Sequence, residues 1–186
     1  MFPPNLLFPT AIFAAFWLLS GCVSAPRAPA EAGFFVRGKI GVVEGGDSWS
    51  ARFVWRQSGE SFEIDLWGPL GQGQTRLRGT PQQLEVINAD GGVRTSGSLE
   101  ALMLAELGWS LPLGLLIDWL QGRPSPQAPM ADAIRNREGS LKEFQQLGWQ
   151  VRFERAKKAP ADAPPGRITA QRPGYRVRVA VWERGA

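Results

Sequence analysis

The sequence has no histidine, a single cysteine and a single tyrosine among its 186 residues. Without histidine the chain lacks the usual general base and the commonest transition-metal ligand. The lone cysteine, Cys22, can form neither an internal disulfide nor a thiolate metal cluster. The sequence also offers no convincing pair of nucleophile and base, so we expect neither enzyme activity nor a bound metal or cofactor.

Charged side chains are also missing from residues 1–21, which places the whole formal net charge of +4 on the rest of the chain. Within that segment, residues 6–19 form an apolar run shorter than the ~20 residues that a membrane-spanning helix needs. Small residues follow the run directly, as at the cleavage site of a secretory signal. We therefore predict a signal peptide over residues 1–21. A buried or uncleaved membrane helix with an incidental cysteine is the alternative.

The residues Leu19-Ser20-Gly21-Cys22 resemble the lipobox of bacterial lipoproteins. The resemblance implies that Cys22 is acylated, becomes the N-terminus after cleavage, and anchors the chain without a spanning helix. Val23 then implies sorting to the outer membrane, because an aspartate at that position is the usual signal for retention in the inner membrane. Residues 23–33 are small and proline-rich, which predicts a flexible tether. The predicted organisation is a signal peptide over 1–21, an acylated N-terminus and tether over 22–33, and one folded domain over 34–186.

From Phe34 onward, apolar residues tend to recur at every second position. Trp49, Phe53 and Trp55 share one face of a predicted strand, and Phe62, Ile64 and Leu66 share one face of the next, with a hairpin turn over residues 57–60. Further strands are predicted over Phe35–Val43, Gln74–Gly79, Leu84–Asn88, Val93–Ser96, Ser140–Gln146, Trp149–Glu154, Arg167–Gln171 and Tyr175–Trp182. This pattern predicts an antiparallel meander whose apolar face must curl or be covered.

Two helices are predicted in the middle of the chain. Ser98 can cap the first, over Leu99–Leu107, and Gly108 would end it. The second begins at Pro112, ends before Gly122, and is apolar around most of its circumference. Such a helix is usually part of a core, and a lid that contacts lipid is the alternative. Residues 122–133 and 156–166 are rich in proline and alanine and are predicted to be loops.

Polar residues on the predicted strands admit two interpretations. Glu63 and Asp65 are ~7 Å apart by the strand rise, a separation that a glycosidase pair could use. Because they alternate with apolar residues, we interpret them instead as an exposed polar face. Basic residues on the polar faces could suggest nucleic-acid binding, but a signal peptide places the domain outside the cytoplasm. We therefore expect no nucleic-acid partner, and interpret these residues as a solvated face or as attraction to lipid head groups.

The segment Trp67-Gly68-Pro69-Leu70-Gly71 predicts a turn with an unusual tip. Pro69 suits the second position and Gly71 the fourth, which leaves Leu70 where a polar residue normally lies. Single exposed leucines are common and need no explanation. If this tip enters a bilayer, burial of Leu70 contributes about 1.5–3 kcal/mol, which suits a reversible contact.

In their order along the chain, these motifs resemble the LolB family of outer-membrane lipoproteins, which receive lipoproteins from the periplasmic carrier LolA. The resemblance rests on the lipobox at Cys22, residues 35–41, 51–55, 68–71, 107–112 and 119–122, Gly148-Trp149 and the closing basic strand. It implies a mainly β fold, an antiparallel unclosed (half) β-barrel whose apolar concave cavity is covered by short helices. It also implies a protruding loop with an apolar tip that places cargo in the membrane, and Leu70, with Pro69, matches that tip.

From this resemblance we expect an anchored acceptor that takes lipoproteins from the carrier and inserts them into the outer membrane. The expected partners are a LolA-like periplasmic carrier, acylated lipoprotein cargo and outer-membrane lipids, and the chain is expected to be a monomer in the periplasm-facing leaflet. The expected acyl-chain cavity is lined by Trp49, Phe53, Trp55, Ile64, Leu66, Leu116, Trp119 and Leu120. A structural outer-membrane lipoprotein that scaffolds an envelope assembly is the alternative.

Overall fold

The computed structural model describes residues 33–68, 70, 73–80, 83–96, 105 and 112–185. The first six strands are β1 Phe34–Glu44, β2 Asp47–Ser58, β3 Ser61–Trp67, β4 Gln74–Thr80, β5 Gln83–Ile87 and β6 Val93–Ser96. One helix, α1, covers Leu113–Leu120. The remaining strands are β7 Ala131–Arg135, β8 Leu141–Gln146, β9 Trp149–Glu154, β10 Arg167–Arg172 and β11 Tyr175–Gly185.

All the described strands belong to one antiparallel sheet of 11 strands, in the order β6-β5-β4-β3-β2-β1-β11-β10-β9-β8-β7. Each strand pairs with its neighbours in the chain, except that β1 and β11 join the two halves and α1 lies in the connection from β6 to β7. Because β6 and β7 are the two edges, the sheet does not close. This arrangement confirms the predicted unclosed half-barrel.

Alternation along the strands gives the sheet an inner apolar face and an outer polar face. In β9, for example, Trp149, Val151 and Phe153 are buried while the residues between them are exposed. The inner rows of the sheet and the buried side of α1 form a single hydrophobic core, whose members all lie between residues 34 and 181. The compact unit 31–186 therefore has a core of its own.

The predicted strands that fall within the described residues are confirmed, including Ser140–Gln146, which corresponds to β8. The loop predicted over 122–133 is wrong at its C-terminal end, where β7 begins. All of β7 is exposed, and its pairing with β8 has two register shifts, so no apolar alternation marks it in the sequence. The predicted helix over Leu99–Leu107 lies outside the described residues.

The predicted helix after Pro112 is confirmed as α1. It buries Leu113, Leu116 and Leu120 against the sheet, which explains why it is apolar around so much of its surface. Gly122 follows with φ of +80°, a left-handed conformation that commonly ends helices. Within the described part of the chain, no helix is long and apolar enough to cross a membrane.

Candidate functional site

A small internal cavity lies between the inner face of the sheet and α1. Strands β1–β4 and β11 form one wall and α1 forms the other. All the lining side chains are apolar, namely Ile40, Phe53, Trp55, Ile64, Leu66, Leu77, Leu113, Leu116, Leu120 and Val179. The cavity volume is about 20 Å³, room for about one water molecule. In this conformation, α1 and the strands that face it therefore leave almost no free space between them.

Six of the eight predicted cavity residues lie together in this lining, namely Phe53, Trp55, Ile64, Leu66, Leu116 and Leu120. Trp119 is fully buried outside the lining, with its ring edge-on to Trp149 at a centroid distance of 6.2 Å. Trp49 is partly buried at the margin of the core, close to the β1–β2 turn. The lining residues that the sequence analysis missed are Ile40, Leu77, Leu113 and Val179. All four hold inward positions of predicted elements, so the same alternation could have identified them.

A buried glutamine joins α1 and the segment after it to β8. Gln146 is only 2% exposed. Its side-chain oxygen accepts hydrogen bonds from Trp119 Nε1 at 3.2 Å and from the Ser125 N–H at 3.0 Å. Its Nε2 atom donates to the carbonyl oxygens of Ser125 and Ala128, both at 2.7 Å. The whole hydrogen-bonding capacity of this amide is used, which fixes the position of Trp119.

Two arginines hold the C-terminal end of α1 to the sheet. Arg184 of β11 donates to the carbonyl oxygens of Leu120 at 2.8 Å and Pro165 at 2.6 Å. Burial lowers the pKa of both Arg184 and Arg155 from the usual arginine value, although arginine keeps its proton in proteins. A cation at a helix C-terminus also interacts favourably with the helix dipole. Arg155 donates to three further carbonyl oxygens, those of Gly122 at 3.3 Å, Leu141 at 2.6 Å and Ala163 at 2.6 Å.

The N-terminal end of α1 is held differently. Pro112 makes no capping side-chain hydrogen bond, and the first turn has no acidic side chain to offset the helix dipole. Leu113 and Leu116 instead contact the cavity wall through apolar surface. The helix is therefore fixed by hydrogen bonds at one end and by packing at the other.

Exposed leucines occupy two hairpin tips at the same end of the sheet. Leu70, between β3 and β4, is 86% exposed, and Leu147, between β8 and β9, is 60% exposed. Strands β3 and β8 both run parallel to β1, so both tips lie at the end of the sheet toward which β1 runs. Pro69 of the predicted tip lies outside the described residues. Leu147 was not among the predicted site residues, although Leu147-Gly148 forms the centre of a two-residue hairpin loop, with both φ angles positive.

Asp65 corrects the expectation of an exposed polar pair on β3. The Asp65 side chain is 4% exposed, whereas Glu63 is partly exposed. Arg76 donates to Asp65 at 2.7 Å, Gln74 at 3.0 Å and Arg56 at 3.1 Å. Burial alone would raise the pKa of Asp65, but these hydrogen bonds and the charge of Arg76 hold that pKa below its usual value. We interpret this carboxylate as a tie between β2, β3 and β4, and not as an acid or base.

Comparison with known proteins shows which family this chain is similar to. The family model described as outer membrane lipoprotein LolB matches residues 32–183. An outer-membrane lipoprotein LolB of Bordetella petrii is 35% identical over 176 residues, which cover 88% of this chain and 86% of the relative. Its counterpart from Marinobacter nauticus is 36% identical over 152 residues, 80% of this chain and 73% of the relative. The crystal structure of a LolA superfamily protein from Nitrosomonas europaea has a TM-score of 0.51 at 12% identity, covering 85% of this chain and 87% of that one, a likeness of fold alone.

Proposed function

The chain belongs to the LolB family of outer-membrane lipoproteins, and on that premise we propose that it accepts lipoproteins from a LolA-like carrier and inserts them into the outer membrane. The observation that carries the proposal is the cavity under α1, whose lining holds no polar side chain. An acyl chain has no group that needs a hydrogen bond, whereas a sugar or a nucleotide would leave its polar groups unpaired there. The acyl chains of the cargo are therefore the ligand that suits this wall, and no chemical step is involved.

Acceptance of an acyl chain requires α1 to move. A space of about 20 Å³ cannot hold even a short hydrocarbon chain. The ligand must take the place of Leu113, Leu116 and Leu120, whose side chains now cover the inner face of the sheet. Each methylene that the ligand buries contributes about 0.8 kcal/mol, which offsets the loss of the helix contacts. Phe53, Trp55, Ile64 and Leu66 would then line the bound chain.

Release depends on affinity differences and on contact with the bilayer. Cargo moves without an energy source if this cavity binds it more tightly than the carrier does, and the bilayer more tightly still. An acylated Cys22 keeps the domain at the membrane. The exposed tip at Leu70 enters the bilayer surface and brings the domain into position for release.

The proposal is tested by a transfer assay with the acylated protein in liposomes and a carrier loaded with radiolabelled lipoprotein. Two steps are measured separately: loss of cargo from the carrier, and resistance of the cargo to alkaline extraction from the liposomes. We expect Leu70→Glu to accept cargo normally but to insert it at least about ten-fold more slowly, because the contact of Leu70 with the bilayer is lost. Ile134→Glu is the matched control, since Ile134 is 52% exposed on β7, and its insertion should remain normal.

Two results would count against the proposal. Normal insertion by Leu70→Glu removes the membrane role of this tip. Failure of the unaltered protein to take cargo from the carrier removes the acceptor function itself, and favours a structural lipoprotein.

A further inference from the structure

The outer face of the sheet carries two groups of cations. In the first group each arginine pairs with a carboxylate at 2.6–3.1 Å, as Arg37, Arg56, Arg76, Arg78, Arg152 and Arg167 do. In the second group, Lys39, Arg52, Arg176 and Arg178 make no ion pair and no side-chain hydrogen bond to any residue that the structure describes. The second group is therefore free to bind an external anion.

The unpaired cations are neighbours across three adjacent strands. Lys39 of β1 lies opposite Arg52 of β2, and Gly41 lies between Ser50 of β2 and Arg178 of β11. The next row places Ser48 of β2, Val43 of β1 and Arg176 of β11 side by side. None of these outer-facing positions holds a carboxylate. The positive charge at the centre of the face is thus uncompensated.

A depression of about 440 Å³ lies beside Arg176 and Arg178, and its lining is Gly41, Val42, Val43, Ser48, Trp49, Ser50, Arg176 and Arg178. Gly41 forms its floor because it has no side chain, and Ser48 and Ser50 keep one wall low. Arg176 and Arg178 form the opposite wall, ~7 Å apart along β11 and ~10 Å across the strands from the serines. Guanidinium groups match the oxygens of a phosphate, and serine hydroxyls can donate further hydrogen bonds.

We propose that this depression binds the phosphate of an anionic phospholipid head group and so docks the outer face of the sheet on the membrane surface. The site lies on the opposite face from the cavity under α1, so the proposal does not rest on cargo transfer. Lys39 and Arg52 extend the positive surface toward neighbouring head groups. Each cation near an anionic membrane surface increases binding by about five-fold.

A membrane fits this face better than an acidic protein does. Protein interfaces have an apolar centre, whereas five of the eight residues that line this depression are glycine, serine or arginine. Val43 is the one large apolar side chain in that lining that is exposed, and exposed Trp182 lies further along β11, at the register shift with β1. Relatives of this chain are outer-membrane lipoproteins, so the phosphates of membrane head groups lie near such a domain.

The test uses the chain from residue 22 onward with Cys22→Ser, since the compact unit 31–186 has its own core. Circular dichroism and thermal unfolding verify that each variant is folded. Flotation is measured below about 0.1 M salt with vesicles of phosphatidylcholine alone, and with vesicles containing about one third phosphatidylglycerol. We expect binding that requires phosphatidylglycerol and weakens as salt rises. Arg176→Gln/Arg178→Gln should reduce this binding about 25-fold, which is five-fold for each cation.

Two further variants distinguish binding at this depression from attraction through the net positive charge of the protein. Lys157→Gln/Lys158→Gln removes the same charge from an exposed loop, and its binding should change less than two-fold. Gly41→Val fills the floor without changing any charge, and a Cβ there lies 3.8 Å from its nearest neighbour, the Trp49 carbonyl oxygen. We expect Gly41→Val to reduce binding at least five-fold.

Several results would overturn the proposal. These are equal binding to both kinds of vesicle, equal losses in the two double variants, or full binding by Gly41→Val. Binding of inorganic phosphate without vesicle binding would assign the site to a soluble phosphate. Binding of the loaded carrier that requires Arg176 and Arg178, without vesicle binding, would assign the face to a protein. Normal cargo transfer by the arginine variant would leave the proposed function intact.

Discussion

At the scale of single residues, Leu147 combines an unfavourable backbone with an exposed apolar side chain. Its φ of +48° is left-handed, a conformation that costs an ordinary L-residue about 1–2 kcal/mol and costs asparagine less. Because 60% of the residue is exposed, loss of the leucine side chain removes little packing. A leucine here therefore does not serve the stability of the turn.

Leu147→Asn should increase the free energy of unfolding by about 0.5–1 kcal/mol, because asparagine tolerates the left-handed conformation. Urea unfolding at constant pH measures the difference. Ile134→Asn is the control, since Ile134 is also exposed but lies in a strand, and asparagine there should give no gain. A loss of stability in Leu147→Asn would mean that the leucine packs more closely than its exposure indicates.

Alternation in the sequence identified which face each side chain occupies, but not how well that face is covered. Val54 and Asp65 are opposite each other on the outer faces of β2 and β3, and both are buried. From the sequence, Asp65 was expected to be exposed. Arginine side chains from neighbouring strands cover this region, and the register that brings them there cannot be derived from the alternation of one strand.

At the scale of secondary-structure elements, α1 depends on groups from the second half of the sheet. Gln146 supports Trp119, and Arg184 and Arg155 bind the carbonyl oxygens at and after the helix C-terminus. The sequence predicted the helix and its apolar side, but not these supports. Arg184 lies beyond the predicted strand Tyr175–Trp182, and the register shift opposite Arg37 changes which side chains of β11 turn inward.

Gln146→Leu should lower the free energy of unfolding by about 3 kcal/mol, since buried groups of Trp119, Ser125 and Ala128 lose their partner. Chemical unfolding followed by tryptophan fluorescence measures this loss. Gln145→Leu is the matched control, because the adjacent glutamine is exposed and its replacement should change stability by less than about 0.5 kcal/mol. Equal effects of the two substitutions would show that the network around Gln146 does not support α1.

At the scale of the whole molecule, the inner face of the open sheet can be covered either by α1 or by a bound acyl chain. Strands β6 and β7 do not pair, so the curved sheet leaves an apolar surface that α1 covers in the free protein. Alternation and the helical period predicted an antiparallel meander and the helix α1, whereas the unclosed half-barrel was implied by the resemblance to the LolB family. The nearly complete filling of the cavity was not predictable, because packing depends on the exact fit of side chains from distant strands.

If α1 and an acyl chain compete for this surface, a substitution that weakens the packing of α1 should favour the ligand. The cost of opening reduces the apparent affinity by the fraction of molecules that are open. Leu113→Ala removes packing at the end of α1 that hydrogen bonds do not hold, so it should lower the free energy of unfolding by about 2–5 kcal/mol. The same substitution should increase the affinity for a fluorescent acylated peptide, by about ten-fold for each 1.4 kcal/mol removed from the cost of opening.

Ile168→Ala distinguishes this effect from general destabilisation. Ile168 is buried in β10 but does not line the cavity, so its replacement should cost a similar free energy of unfolding without strengthening ligand binding. Titration of the labelled peptide against both variants, with unfolding curves for each, makes the comparison. Equal affinities in the two variants would mean that α1 does not compete with the acyl chain, and that the ligand enters the fold by another route.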